Sequence, residues 1–485
     1  KKPNIILFLV DDMGWQDTSV PFWNKKTAFN KIYHTPNMER LAKSGMKFTQ
    51  SYATPVCTPT RVSLISGMNA ARHRVTNWTL RKDTDPVMPQ KGLKMPKWNV
   101  NGAQTTDTIN QSVYITPLQQ ILKDNGYWTA SRGKLYHGKI PKNDANSWHV
   151  AGKFWGKGKA KDGGPEILKR IVDIGGRADQ IADYKKKGSG PGALMYASVD
   201  GPDNILNDGK TAEAVIDFIK NKRDKNKPFM ISGGFSRPHM PWVAPKKYFD
   251  MYPENVGTIA NFPKGAKADF EADRYKSKTR NGQWNEGVDD VTAKKLIRGY
   301  MASTSYADAQ MGKVIQTLKD EGLYDNTIII VWGDHGYHLT DHGLWRKNTP
   351  FHISLRSPLM VKTANSKGGT VIDNIVQNID IYPTLLELTG TEKPKNIKLH
   401  GKSLVSLLHG EDVEWENIAH TSAKGSHGVV TDKYRFTVMA DGTRELYDLE
   451  QDPGEWNNLA NEPKLNNLIK SFEEQMSKVV WNNPQ

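Results

Sequence analysis

Asp11-Asp12 and Asp334-His335 have the residue types and the setting to bind a cation. Each pair follows an apolar run: Asn4-Ile5-Ile6-Leu7-Phe8-Leu9-Val10 before the first, and Thr327-Ile328-Ile329-Ile330-Val331 ahead of Gly333-Asp334-His335-Gly336. Continuous apolar runs of this kind are typical of strands buried on both faces of a parallel sheet. In open sheets ligands bind beyond the carboxyl ends of such strands. Three carboxylates and an imidazole on adjacent strand ends would repel one another without a cation. Hard oxygen donors favour Ca²⁺, with Mg²⁺ second, over zinc. Either segment alone reads as a cap on the following turn or helix; together they read as a metal site of Asp11, Asp12, Asp334 and His335.

The second candidate is Cys57, the only cysteine, which excludes an intrachain disulfide. It opens Cys57-Thr58-Pro59-Thr60-Arg61 after an irregular segment, Ser51 to Val56, and leads into a short helical stretch, Val62 to Met68. A cysteine at a helix start sits where backbone N–H groups and the helix dipole favour an anion. A lone cysteine is ordinarily a small buried hydrophobe. Arg61, one turn on, fits that poorly, because a guanidinium there points at the thiol or at something anionic beside it.

These residues need a scaffold. Pro228 to Gly234 reads as a further strand, and helical patterns cover Pro36 to Lys43, Pro117 to Asp124, Thr211 to Lys220 and Val291 to Asp320. Alternating strands and helices predict an α/β fold with a mainly parallel sheet. Residues 151–200, rich in Gly and Lys, and 253–290, rich in polar residues, read as surface excursions. After Gly390 short strands, Gly428 to Thr431 and Tyr434 to Met439, alternate with turns, and a final helix covers Pro463 to Val480. The expected division is a catalytic domain over 1–394 and a smaller α+β domain over 395–485.

The chain has 485 residues, room for two or three domains, with 37% hydrophobic and 25% charged residues, a globular balance. Its longest apolar run is too short to cross a bilayer, so no membrane span is expected. Lys1 and Lys2 lead straight into the first strand without a charged-then-apolar signal, so any targeting peptide is expected to have been removed or never present. Lys+Arg 67 against Asp+Glu 52 gives +15, a surplus that favours anionic partners. Nucleic acid is set aside: there is no zinc-finger spacing, basic heptad region or aromatic-basic ribonucleoprotein motif. The lysine-dense stretches, 153–161 and 185–187, read as solvated faces. A soluble anionic substrate is the better expectation.

Cys57-Thr58-Pro59-Thr60-Arg61, continued by Val62-Ser63-Leu64-Ile65-Ser66-Gly67, resembles the signature of the type I, formylglycine-dependent sulfatases. Ile65 and Ser66 are mild departures from its commoner Leu-Thr. Asn4 to Asp12 resembles the family's first strand with its metal aspartates. Asn378-Ile379-Asp380-Ile381-Tyr382-Pro383-Thr384-Leu385 and Leu446-Tyr447-Asp448-Leu449 with Asp452-Pro453 resemble later landmarks, so the resemblance spans nearly the whole chain. It implies an alkaline-phosphatase-like sandwich, a large mainly parallel sheet between helices, plus a smaller C-terminal α+β domain. It also implies oxidation of Cys57 to Cα-formylglycine by a formylglycine-generating or anaerobic maturase enzyme, a Ca²⁺ ion, and a periplasmic or secreted location. Asp334-His335-Gly336, with His where many members have Asn, resembles the iduronate-2-sulfatase and choline-sulfatase side of the family.

The resemblance assigns further residues. Gly133-Lys134-Leu135-Tyr136-His137 matches the segment of a sulfate-binding Lys134 and a catalytic His137. Arg237-Pro238-His239-Met240-Pro241 supplies His239, facing the leaving oxygen, and Trp345-Arg346-Lys347 supplies Lys347, reaching the sulfate. Outside this context these would be surface lysines and ordinary histidines. The implied chemistry is sulfate monoester hydrolysis. A hydroxyl of the hydrated aldehyde attacks sulfur, His239 protonates the leaving oxygen, and His137 removes the proton from the second hydroxyl, while Arg61 keeps the diol and carboxylates in register. Basic charge and Trp78, Trp242 and Trp345 near the motifs fit a sulfated carbohydrate such as carrageenan, ulvan or glycosaminoglycan, although each Trp also suits a core. The rivals are a phosphatase or phosphodiesterase of the same fold and a non-catalytic glycan-binding protein. His338 and His342 have a zinc-like spacing but lack the metalloprotease Glu and read as loop or substrate-edge residues.

Overall fold

The computed structural model describes residues 2–73, 75, 116–137, 147–152, 162, 164–188, 190, 192–256, 259–267, 282–364, 366–393, 395, 397–423, 426–439 and 442–479. Trp78 and the lysines of 153–161 lie outside the described residues. An eight-stranded sheet forms the centre. Its strands are β1 (Asn4–Val10), β2 (Met46–Tyr52), β3 (Trp128–Gly133), β4 (Val150–Ala151), β7 (Phe229–Phe235), β9 (Thr327–Gly333), β12 (Leu359–Lys362) and β13 (Thr370–Gln377), in the order β13-β2-β12-β9-β1-β7-β3-β4. β12 runs antiparallel to both of its neighbours, and the other pairings are parallel.

The apolar runs become central strands because both faces are covered. Ile5, Leu7 and Leu9 of β1 and Ile328, Ile330 and Trp332 of β9 enter one core. Ile6, Phe8 and Val10, with Ile329 and Val331, enter the opposite one. The first core is closed by α2 (Cys57–Ser66) and the helices Leu118–Asp124 and Ile381–Thr389. The second is closed by α1 (Pro36–Ser44) and the helices Asn207–Asp217 and Asp290–Asp320. Each buried aliphatic side chain contributes about 1.5–3 kcal/mol here.

One expectation changes. Residues 151–200 are not wholly a surface excursion: β5 (Ile171–Gly176), β6 (Met195–Val199) and β8 (Trp242–Pro245) form a second sheet, and every residue of β6 is buried. This sheet packs on the first half of helix Asp290–Asp320 through Leu296, Ile297 and Tyr300. Its short strands, set among Gly and Lys, leave too little periodicity to read. At the other end the sequence pattern divides the chain at 394/395, yet Ile397, Leu404, Leu407 and Leu408 pack into the first core. Beyond them β14 (Ile418–Ala423), β15 (Ser426–Thr431), β16 (Tyr434–Val438) and β17 (Arg444–Asp448) make an antiparallel sheet. Helix Asn466–Val479 covers it with Ile469, Phe472 and Met476. A two-stranded ribbon, β10 (His338–Leu339) and β11 (Trp345–Arg346), precedes Lys347. Among the described residues no helix is long and apolar enough to cross a membrane.

Candidate active site

Register sets the site. β1 lies between β9 and β7, with Val10 opposite both Gly333 and Phe235, and β3 lies on the far side of β7 with Gly133 opposite Gly234. Their carboxyl ends therefore stand side by side, and the next residues are Asp334, Asp11, the segment leading to His239, and Lys134. Asp11 N–H donates to Phe235 O at 3.1 Å and Asp334 N–H to Val10 O at 3.3 Å, so the ladder runs on into the acidic residues. The chain then turns sharply. Asp12 has φ +64°, held by its own N–H donating to Asp334 Oδ1 (3.1 Å) and by the Tyr300 hydroxyl donating to its carbonyl (2.6 Å).

The helix behind the thiol opens at Cys57 itself, earlier than its apolar pattern predicts, because Val56 is extended and Pro59 is tolerated in a first turn. All of α2 is buried. Arg61 projects from its second turn to Asp334 (Nε–Oδ2 2.9 Å) and Asp11 (Nη2–Oδ1 3.2 Å), and donates to the Lys134 carbonyl. Cys57 Sγ lies 3.3 Å from His335 Nε2, while His335 Nδ1 donates to Gly336 O at 2.9 Å.

The remaining residues converge on the same place. Lys134 pairs with Asp11 and Lys347 with Asp12. His335 Nε2 stands 3.4 Å from Asp12 and 3.5 Å from Asp334. His239 Nε2 is 3.9 Å from Asp12 Oδ2, and the His137 and His239 rings are 6.3 Å apart. His137 N–H donates to Thr58 Oγ1 at 3.3 Å, tying that segment to α2. The structure thus brings every predicted site residue into one cluster. Its floor of Asp11, Asp12, Cys57, Arg61, Asp334 and His335 is shut off from solvent, whereas Lys347 and His239 each keep 11% of the side chain exposed.

A cluster this buried shifts its titrations. Burial opposes the charge of Asp11, but Lys134, His239 and Arg61 outweigh it and hold the carboxyl well below the usual range. Burial, aided by Asp11, raises Asp12 despite Lys347. Burial also pushes the Cys57 thiol up to about 12 against Lys134 and Lys347. The expected repulsion is corrected here: Arg61, Lys134 and Lys347 already set three cations against the three carboxylates. A divalent ion would leave the cluster at about +2, suited to a sulfate group. The donors fit such an ion. Asp11, Asp334, His335 and Cys57 converge within 4.8 Å, and the fully buried Asp12 Oδ2 accepts no hydrogen bond.

A family model described as sulfatase matches residues 3–391, most of the chain. The chain belongs to the sulfatase family. A second model, N-sulphoglucosamine sulphohydrolase C-terminal, matches residues 340–482 of this sulfatase. A protein named sulfatase from Formosa agariphila is 29% identical to it, covering 97% of this chain and 85% of that one. Two solved structures share the fold. One, in complex with its substrate D-glucosamine-2-N,6-O-disulfate, has a TM-score of 0.65 at 19% identity and covers 100% and 99% of the two chains. The other, a phosphonate monoester hydrolase of Agrobacterium radiobacter, scores 0.71 at 18% identity and covers 99% and 95%.

Some residues of this sulfatase take other roles than expected. Trp242 and Trp345 are core residues, 0% and 4% exposed and 5.9 Å apart, not sugar platforms. His338 is buried against Thr349 (2.8 Å), and His342, in the turn after it, stacks between Phe351 and Trp456 at 4.0 and 4.1 Å. Their spacing is produced by a strand and a tight turn, not by a helix. Tyr300 went unread: one tyrosine in a long amphipathic helix carries no signal that it braces Asp12.

Proposed function

We propose that this sulfatase hydrolyses sulfate monoesters on a sulfated carbohydrate, with Cys57 oxidised to Cα-formylglycine and a calcium ion held by Asp11, Asp12, Asp334 and His335, magnesium being the second choice. The observation that carries this reading is the convergence of the Cys57 helix start on that acidic cluster, with Lys134 and Lys347 beside it. When present, the ion and the aldehyde hydrate would supply charge neutralisation and a nucleophilic hydroxyl, respectively. Arg61 holds Asp11 and Asp334 in register. Lys134 and Lys347 exchange carboxylate partners for sulfate oxygens. His239 delivers a proton to the departing sugar oxygen, and His137 takes the proton of the second hydroxyl after sulfate transfer. Residues 1–394 carry this chemistry, and residues 395–485 form a C-terminal unit whose first segment, through Ile397, Leu404, Leu407 and Leu408, is packed into the catalytic core. A net charge of +15 suits an anionic polymer such as carrageenan, ulvan or glycosaminoglycan, and a structurally similar enzyme was solved with a sulfated glucosamine. A periplasmic or secreted location belongs to the same proposal.

The test is expression with a formylglycine-generating enzyme or an anaerobic maturase. An aldehyde is expected by mass spectrometry on the Cys57 peptide, with sulfate released from defined sulfated oligosaccharides. Because phosphonate monoester hydrolases share the fold, bis(4-nitrophenyl) phosphate is assayed beside 4-nitrophenyl sulfate, and sulfate ester turnover should dominate. Full turnover by Cys57→Ala would falsify the mechanism.

A further inference from the structure

The segment that presents His239 is gripped by a buried polar assembly. Arg237 is 2% exposed. Its Nε donates to Val243 O at 2.9 Å, Nη1 donates to the His239 carbonyl, and Nη2 pairs with Asp162. Asp208, 1% exposed, accepts the N–H groups of Ser236 and Arg237, each at 2.8 Å, and His239 N–H donates to Ser236 O at 2.8 Å. Asp162 Oδ1 accepts Asn207 N–H at 2.7 Å, at the start of the helix that carries Asp208. The guanidinium therefore bonds to the peptide of His239 on one side and to a carboxylate anchored on that helix on the other. A buried guanidinium is tolerated only when paired this fully, and removing it would free the His239 carbonyl.

The orientation matters chemically. His239 Nδ1 lies 2.6 Å from Met240 O, which can only accept, so Nδ1 carries a hydrogen and Nε2 is the atom that exchanges a proton with substrate. Nε2 faces the cluster, 3.9 Å from Asp12 Oδ2.

We propose that Arg237, anchored by Asp162 and Asp208, is a positioning residue that holds His239 with Nε2 aimed at the leaving oxygen; this rests on the reading of His239 as the general acid. Acid catalysis contributes roughly 10²–10⁴-fold and is sensitive to misplacement of about 1 Å. Its loss is felt most with a basic leaving group.

The experiment compares 4-nitrophenyl sulfate with phenyl sulfate, whose leaving group is about as basic as tyrosine (pKa ~10), on formylglycine-bearing wild type, His239→Ala, Arg237→Lys, Arg237→Gln and Asp162→Asn. The expected result is a kcat/KM loss on phenyl sulfate at least ~10-fold greater than on 4-nitrophenyl sulfate for His239→Ala and Arg237→Gln, with a smaller excess for the other two. The ratio of the two losses does not depend on how much of a preparation is folded. ¹⁵N NMR of histidine-labelled enzyme adds a readout independent of turnover: the His239 Nδ1–H signal, assigned by its absence in His239→Ala, should weaken or shift in Arg237→Gln. A leaving-group effect for His239→Ala but none for the Arg237 variants, or an unmoved Nδ1–H signal, overturns the positioning role. No leaving-group effect for His239→Ala overturns the acid assignment instead.

Discussion

Arg61 is the residue on which the cluster is organised. Its guanidinium, 0% exposed, binds two acids from different strands and a carbonyl from a third. Removing one partner from a buried ion pair costs about 3–5 kcal/mol because the remaining charge is left uncompensated. Arg61→Ala is therefore expected to lower the unfolding free energy by that order and to abolish turnover, while Arg61→Lys, with one compact charge for a planar fork, keeps part of the stability and little activity. Asp17 gives a pH signature. Burial raises its carboxyl to about 7, partly offset by the Tyr300 hydroxyl and Gly14 N–H. Between the ordinary carboxylate pKa of ~4 and about 7, the folded form holds a proton that the unfolded chain has released. This contribution is complete below pH ~4 and is lost as pH rises through 7. The stability of wild type minus that of Asp17→Asn, measured by urea unfolding, should fall across this window and level off above it.

At the scale of elements, the strand ends carry the chemistry. β3 and β7 approach so closely after their glycines that a Cβ at Gly234 would stand 2.1 Å from Lys134 O. Gly234→Ala should displace Lys134, cutting kcat/KM by ~10²-fold or more, with secondary structure by circular dichroism unchanged; near-normal activity would show that Lys134 has slack. Much of this architecture was legible. β1 from Ile5 to Val10 and β9 from Ile328 to Trp332 are continuously apolar because both faces are buried, and Asp11 and Asp334 follow at their ends. β12 was not: four residues, reversed within a parallel sheet, carry no periodicity. Nor was the grip on His239, since Asp162 and Arg237 are 75 positions apart and Asp162 comes from a Gly- and Lys-rich stretch resembling solvent-exposed chain. Cys57 to Arg61 was readable because its residues are consecutive in the chain. The three cations balancing the three acids were not, because their pairing is made only by tertiary contact.

In the whole molecule, metal and fold are coupled less tightly than the acidic residues alone suggest. Since Arg61, Lys134 and Lys347 compensate the carboxylates, removal of the ion should stop turnover without unfolding the chain. Dialysis against EGTA is expected to lower the unfolding free energy only by the ligand-linkage amount, about 2.7 kcal/mol at a hundredfold excess over Kd, and added Ca²⁺ should restore stability and turnover. Unfolding on chelation would instead make the ion part of the core. The segment that follows β17 also touches the β10–β11 ribbon, with Trp456 stacking on His342 a few residues before Lys347. The burial of Cys57 has a further consequence, for the order of events in biosynthesis. Its side chain is 1% exposed, and every residue of its helix is walled in. No second protein can enclose that thiol once the strands have met, so the proposed oxidation has to happen while the segment is still an accessible, unstructured peptide. Native enzyme carrying unmodified Cys57 should therefore resist conversion when mixed with a competent maturase, whereas the denatured chain or a peptide spanning Pro55 to Gly67 should accept it. On the proposed maturation, the window for oxidation lies between synthesis and folding, and a mutation that speeds folding is expected to lower specific activity while raising stability.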